Sequence, residues 1–183
     1  MSHVVLGVGG GIAAFKAGDL VSRLRDRGIE TRVAMTRAAT RFVTPLTFAA
    51  LTGHDVLVDD TVGDDPTIPH VSWARWADGV VVAPATADLL GRIAHGLADD
   101  GLTSLLLALE LPKPVVLAPA MNTQMWENPL VQANLDRLRS VDEGRRFRFV
   151  EPIDKRLACG EVGVGGLADP DEIAAAVASA LSG

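Results

Sequence analysis

"HVVLGV" occupies His3 to Val8, and "GGGIAA" follows at once from Gly9 to Ala14. A continuous apolar run that stops at glycines reads as a parallel strand buried on both faces. Beyond it, Ala13, Ala17, Leu20, Val21 and Leu24 recur at spacings of three and four, the stripe of a helix with one buried face. Gly28 stands where a C-terminal glycine would close that helix. "TRVAM", Thr31 to Met35, is then a second strand. Strand, helix and strand in this order form the repeating unit of a parallel sheet.

The same alternation continues downstream. "GVVVA" (Gly79 to Ala83), "PVVLA" (Pro114 to Ala118) and "RFRFV" (Arg146 to Val150) are strand candidates. Helical patterns cover Thr44 to Leu51, Ala87 to Ala94, Thr103 to Leu109, Pro129 to Arg139 and Asp171 to Leu181. The expected fold is therefore α/β, a Rossmann-like (flavodoxin-like) three-layer sandwich with a mainly parallel sheet. In such a fold ligands sit beyond the carboxyl ends of the strands. A length of 183 residues suits one domain, residues 1–183. Val58 to Pro69 and Glu151 to Pro170 take neither assignment, and loops this long in a small domain are commonly functional.

Composition removes several classes of function. No apolar run reaches the roughly 18–20 residues needed to cross a bilayer, so no membrane partner is expected. Met1 leads into the first strand without a basic leader, which makes the cytoplasm the expected compartment. A net charge of -6 with scattered arginines offers no basic stripe for nucleic acid. Cys159 is the single cysteine and the histidines are isolated, so neither an internal disulfide nor a metal site is expected.

Five loops carry candidate chemistry. Gly9, Gly11 and Ala14 fit a G-x-G-x-x-A spacing, which lets a phosphate approach backbone N–H groups; the alternative is a tight turn without ligand. Thr36 and Arg37 stand where a ribose-binding acid would, which disfavours NAD and leaves a phosphate-bearing cofactor open. In "APATADLL", Thr86 or Asp88 can cap a helix whose N-terminus faces the ligand edge. His95 on that helix reads as a surface or packing residue. In "IPHVSWARWAD", His70 is an imidazole in an aromatic stretch, suited either to proton transfer or to a plain hydrogen bond. In "PAMNTQMWENP", Pro119 to Pro129, Asn122 offers an amide just past a strand, and Met121 and Met125 offer polarizable surface for a ring or for the core. In "KRLACGEVGVGG", Cys159 is either a reactive thiol or a small hydrophobe.

In this order, "GGGIAAFK", "IPHVSWARWAD", "PATADLLGRIAHGLADD", "PAMNTQMW" and "KRLACGEVGVGG" resemble the homo-oligomeric flavin-containing cysteine decarboxylases. That family includes phosphopantothenoylcysteine decarboxylases and peptidyl-cysteine decarboxylases. The resemblance covers nearly the whole chain and implies FMN as cofactor. It also implies a site at a subunit contact of a trimer, sometimes built into a dodecamer. It gives His70 a catalytic place near the flavin, Asn122 the substrate carboxylate, and Cys159 proton donation during reduction of the product. FMN contacts are implied for Gly10, Gly11, Ile12, Thr36, Phe42, Thr86, Ala87 and Met121. Two positions depart from the pattern: Asp88 replaces a common Asn, and Gly166 replaces an Arg of many bacterial members.

The implied reaction is decarboxylation of an amide-linked cysteine, with 4'-phosphopantothenoylcysteine the leading substrate and a peptide ending in cysteine the alternative. A flavin-binding regulatory subunit and a flavin prenyltransferase are further alternatives; "PAMNTQMW" speaks against the last.

Overall fold

Six strands form one parallel sheet in the computed structural model, which describes residues 1–58, 69–156 and 162–183. They are β1 (Ser2–Val8), β2 (Ile29–Met35), β3 (Val56–Leu57), β4 (Gly79–Ala85), β5 (Val115–Pro119) and β6 (Phe147–Phe149). The spatial order is β3-β2-β1-β4-β5-β6. From β1 the chain builds outward to one edge, then returns to lay β4 on the other side of β1. The reversal at β1 and β4 opens a crevice at their carboxyl ends, the switch point of a doubly wound sheet.

Side-chain alternation divides each strand between two cores. Val4, Leu6 and Val8 of β1 join Val81 and Ala83 of β4 and Val116 and Ala118 of β5 on one face. That face is covered by α1 (Ala17–Asp26), by Phe48 of α2 (Pro45–Thr52) and by α8 (Pro170–Ser182). Val5, Val80, Val82, Val115 and Leu117 point to the other face. It is covered by α3 (Pro69–Trp76), α4 (Ala87–Ala94), α5 (Gly101–Ala108) and α7 (Pro129–Ser140). Each fully buried Val or Leu contributes roughly 1.5–3 kcal/mol, which is why continuous apolar runs specify these central strands.

The expected helices lie where the periodicity put them, with ends moved by one or two residues. The first differs in kind. Residues Ile12–Lys16 form a 3-10 turn before α1 begins, because Ala14 N–H closes onto Gly11 O at 2.9 Å as the chain leaves the glycine loop. Gly28, at φ 71°, ends the unit as expected.

The aromatic stretch around Trp73 and Trp76 forms helix α3, which leads into β4. Both indoles pack on the second core, and the Arg32 guanidinium of β2 lies 5.4 Å and 4.4 Å from their rings. A second sheet is an antiparallel hairpin of β7 (Ile153–Arg156) and β8 (Val162–Gly166). The remaining short helix is α6 (Thr123–Trp126). Leu181 near the end of α8 lies against Gly79 and Pro114, where β4 and β5 begin, so both chain ends sit at the amino edge of the sheet. Among the described residues no helix is long and apolar enough to cross a membrane.

Candidate active site

The loops that leave β1, β2, β4 and β5 enclose a pocket of about 1000 Å³ at the carboxyl edge. Gly10 and Gly11 come from the first loop, Thr36, Arg37 and Ala38 from the second, Thr86, Ala87 and Asp88 from the third, and Ala120 and Met121 from the fourth. Met125 of α6, Arg92 of α4 and the connection Ala98, Asp99 and Asp100 complete the wall. A volume of this size admits a cofactor-sized molecule.

The glycines are required by how tightly the loops meet. Gly9 N–H donates to Pro84 O at 3.1 Å, and a Cβ on Gly9 would stand 2.4 Å from that same oxygen. A Cβ on Gly10 would stand 2.3 Å from Ala38 Cβ. The first loop is thus pinned between the ends of β4 and β2 with its backbone toward the pocket. Thr36 is buried and braces the second loop: its backbone N–H donates to Val8 O at 3.1 Å, and its Oγ1 accepts from Ala39 N–H at 3.2 Å.

Thr86 is the N-cap of α4, its Oγ1 accepting from Leu89 N–H at 3.3 Å. Leu90 N–H bonds Thr86 O. This leaves the N–H groups of Ala87 and Asp88 as the first-turn donors that the cap does not use. Together with the positive end of the helix dipole they suit an anion. Ala38, Ala120, Met121 and Met125 supply apolar wall elsewhere in the pocket. The arrangement fits an elongated ligand with an anionic end at α4 and a flat apolar part against Met121.

Arg92, one turn further along α4, organises the wall beside it. Its guanidinium bonds Asp99 and lies 3.0 Å from Asp100 and 3.8 Å from Asp88. Burial works against its charge, but the hydrogen bond to Asp99 and the charge of Asp100 outweigh it and hold the Arg92 pKa above the ordinary value. The hydrogen bond from Arg92 in turn holds the Asp99 carboxyl below its usual range. Asp100 also caps α5, accepting from Thr103 N–H at 2.8 Å. Asp88 faces Arg92 rather than serving as the helix cap.

Asn122 follows Met121 and caps α6, with its Oδ1 accepting from Met125 N–H at 2.9 Å. With Oδ1 engaged by the cap, the Nδ2 group remains as a donor. A donor in that position matches a carboxylate. Trp126 packs on the second core, and Asn128 with Pro129 starts α7 behind it.

Six residues expected at the cofactor line this pocket: Gly10, Gly11, Thr36, Thr86, Ala87 and Met121. Ile12 and Phe42, 58% and 48% exposed, are not among the lining residues. His70, in the first turn of α3, and Asn122, which follows Met121, also lie outside the lining. Cys159 lies outside the described residues. His95 is exposed at the end of α4, its Nδ1 2.8 Å from Gly91 O. Arg92 and the 98–100 connection were not singled out by the sequence, although the Asp100–Thr103 spacing is a legible helix start.

Comparison with known proteins agrees with this geometry. The chain matches the Flavoprotein family over residues 1–182. It is 43% identical over 171 residues to a probable phosphopantothenoylcysteine decarboxylase of Streptococcus mutans, covering 93% of each chain. It is 46% identical over 172 residues to the coenzyme A biosynthesis bifunctional protein CoaBC of Bacillus subtilis, spanning 93% of this chain but only 41% of that protein. Among solved structures, a PPC decarboxylase mutant complexed with pantothenoylaminoethenethiol superposes with TM-score 0.87 at 32% identity, covering 100% of this chain and 99% of that one. The FMN-dependent cysteine decarboxylase SpaF superposes with TM-score 0.80 at 34% identity, covering 98% and 97%. With its glycine loop, capped α4 and Met121 wall at one sheet edge, the chain belongs to the flavoprotein family.

Proposed function

We propose that this chain is an FMN-dependent decarboxylase of an amide-linked cysteine, converting 4'-phosphopantothenoylcysteine to 4'-phosphopantetheine. The observation that carries this is the pocket itself. Donor groups at the α4 N-terminus and the apolar wall of Ala120, Met121 and Met125 line one pocket, with Asn122 next in the chain after Met121, in a protein that matches a probable phosphopantothenoylcysteine decarboxylase over 93% of both lengths.

FMN supplies, when bound, the electron sink that a cysteine without a free amine lacks. The protein's share is binding, orientation and proton handling. The backbone N–H groups of the glycine loop and of Ala87 and Asp88, with the Thr36 and Thr86 hydroxyls, would hold the phosphate and ribityl chain. Met121 would lie against the ring. Asn122 Nδ2 would donate to the carboxylate that is lost, fixing its bond in the plane that favours departure. His70 is assigned proton transfer near the substrate sulfur, and Cys159 proton donation to the product carbon.

We read residues 1–183 as one flavoprotein domain acting in the cytoplasm as a homo-oligomer, trimer or dodecamer. His70 then reaches the site across a subunit contact, consistent with its place outside the pocket of its own chain. Ile12, Phe15, Phe42 and Leu46 are exposed apolar side chains suited to such a contact. A peptide ending in cysteine is the second reading, compatible with the likeness to SpaF, an FMN-dependent cysteine decarboxylase.

The test is the absorption spectrum of the purified protein, followed by incubation with phosphopantothenoylcysteine and with a cysteine-terminated peptide. Mass detection should record loss of carbon dioxide from the first substrate. Loss from the peptide alone, with two further hydrogens missing, would transfer the assignment to the second reading. A protein that retains no flavin would refute both.

A further inference from the structure

A hairpin of two strands has too little core of its own to be stable in water. The β7–β8 hairpin is therefore held by what it touches, and β8 touches the turn that carries Asn122. Met121 N–H donates to Gly165 O at 2.9 Å. Gly165 has φ 145°, and a Cβ there would stand 2.3 Å from Met121 O. Two residues earlier, on the same face of the strand, a Cβ on Gly163 would stand 2.6 Å from Thr123 Oγ1, 3.2 Å from its Cγ2 and 3.4 Å from its Cβ. Thr123 Oγ1 is buried with no hydrogen-bond partner among the described residues, so the contact with Gly163 is steric rather than polar. Asn122 is thus gripped on both sides, through Met121 by Gly165 and through Thr123 by Gly163.

We propose that Gly163 is a positioning residue for the reaction: strand β8 lies flush on Thr123, and the missing side chain at 163 sets where the Asn122 amide stands. The proposal rests on the reading of Asn122 as the carboxylate-binding group. A methyl at 163 falls short of ordinary contact with Thr123 by about 0.8 Å, and the displaced turn carries Asn122 with it. Misplacing a group that orients a reacting bond by a distance of that order costs on the order of 10²-fold in rate. Relief is available from the other side. Thr123→Ala removes both close atoms and leaves only a Cβ at 3.4 Å, an ordinary contact.

The experiment compares flavin-loaded wild type with Gly163→Ala, Thr123→Ile and the double variant Gly163→Ala/Thr123→Ala. Thr123→Ile enlarges the same contact from the partly exposed turn, which keeps the proposal testable should Gly163→Ala fail to fold. The readouts are kcat and KM for phosphopantothenoylcysteine and the affinity for phosphopantetheine, its decarboxylated counterpart, measured by perturbation of the flavin spectrum. Both enlarging variants should lose roughly 10–100-fold in kcat/KM, with affinity for phosphopantetheine unchanged, and the double variant should recover most of the loss. Equal weakening toward both ligands, or a double variant as impaired as Gly163→Ala, would overturn the role of Gly163. A wild type that does not distinguish the carboxylate-bearing ligand from phosphopantetheine would instead sink the reading of Asn122, independently of the variants.

Discussion

Replacing Arg146 by Met should destabilise the fold by about 2–4 kcal/mol, and the structure shows where that figure arises. Arg146 is 7% exposed just before β6. Its guanidinium donates to the buried carbonyls of Leu109 at 2.8 Å and Leu106 at 3.4 Å, and to the partly exposed carbonyls of Glu110 and Lys113. Leu106 and Leu109 belong to the end of α5, where unpaired carbonyls and the negative end of the dipole collect. Burial depresses the Arg146 pKa, with the charge of Asp142 opposing, so the cation carries a desolvation cost that Met would recover. Against that recovery, two buried carbonyls lose their donor at about 1–3 kcal/mol each. The charge–dipole attraction, about 1 kcal/mol, is lost as well. The partly exposed carbonyls rehydrate and contribute little.

The losses outweigh the recovered desolvation cost, which leaves a net of about 2–4 kcal/mol. For a chain of this length the corresponding fall in Tm is about 4–16 °C. Urea unfolding followed by far-ultraviolet circular dichroism measures it. Arg146→Lys should fall between the two, since one ammonium cannot span the carbonyls that a planar fork reaches. A Met variant within about 0.5 kcal/mol of wild type would refute the reasoning, showing that the carbonyls find water and that the buried cation adds no net stability.

Three more outcomes are expected. Asn122→Asp retains an oxygen to cap α6, so thermal stability should stay within about 0.5 kcal/mol of wild type. Decarboxylation should nevertheless fall by at least about 10³-fold, since a hydrogen-bond donor to the substrate carboxylate becomes a like charge beside it; a normal rate in a turnover assay would remove Asn122 from the mechanism. Gly9→Ala forces a Cβ to within 2.4 Å of Pro84 O, and strain of about 1–3 kcal/mol in that loop should weaken FMN by roughly 5–150-fold in a fluorescence titration. Unchanged affinity would mean that the loop has room the structure does not show. The Asp99 pKa is lowered in the fold, so its pairing with Arg92 stabilises at neutral pH and fades as the pH falls through and below the ordinary value of 3.8. The stability difference between wild type and Asp99→Asn, from urea midpoints, should therefore shrink in acid; a constant difference would contradict it.

The sheet was legible because its central strands are buried on both faces and must be apolar throughout, as "HVVLGV" and "PVVLA" are. Short edge strand β3 carries no such mark, with only Val56 and Leu57 to announce it. Helix α3 was hidden by its tryptophans, whose partner Arg32 lies far off in sequence. The hairpin escaped because "VGVGG" lacks side chains for a strand pattern, its packing being backbone against residues 121–123. At the site, the glycine loop and the Thr86 and Asn122 caps follow from local chemistry. Arg92 did not, since only the folded connection brings Asp99 and Asp100 back to it.

Both termini leave from the amino edge of the sheet, on the far side from the pocket. A purification handle, fluorophore or surface linker joined to either end therefore departs from the opposite pole of the molecule. Immobilised preparations should keep the mouth of the pocket open to solvent, which makes tethered, flow-based optical titrations a practical format for this chain.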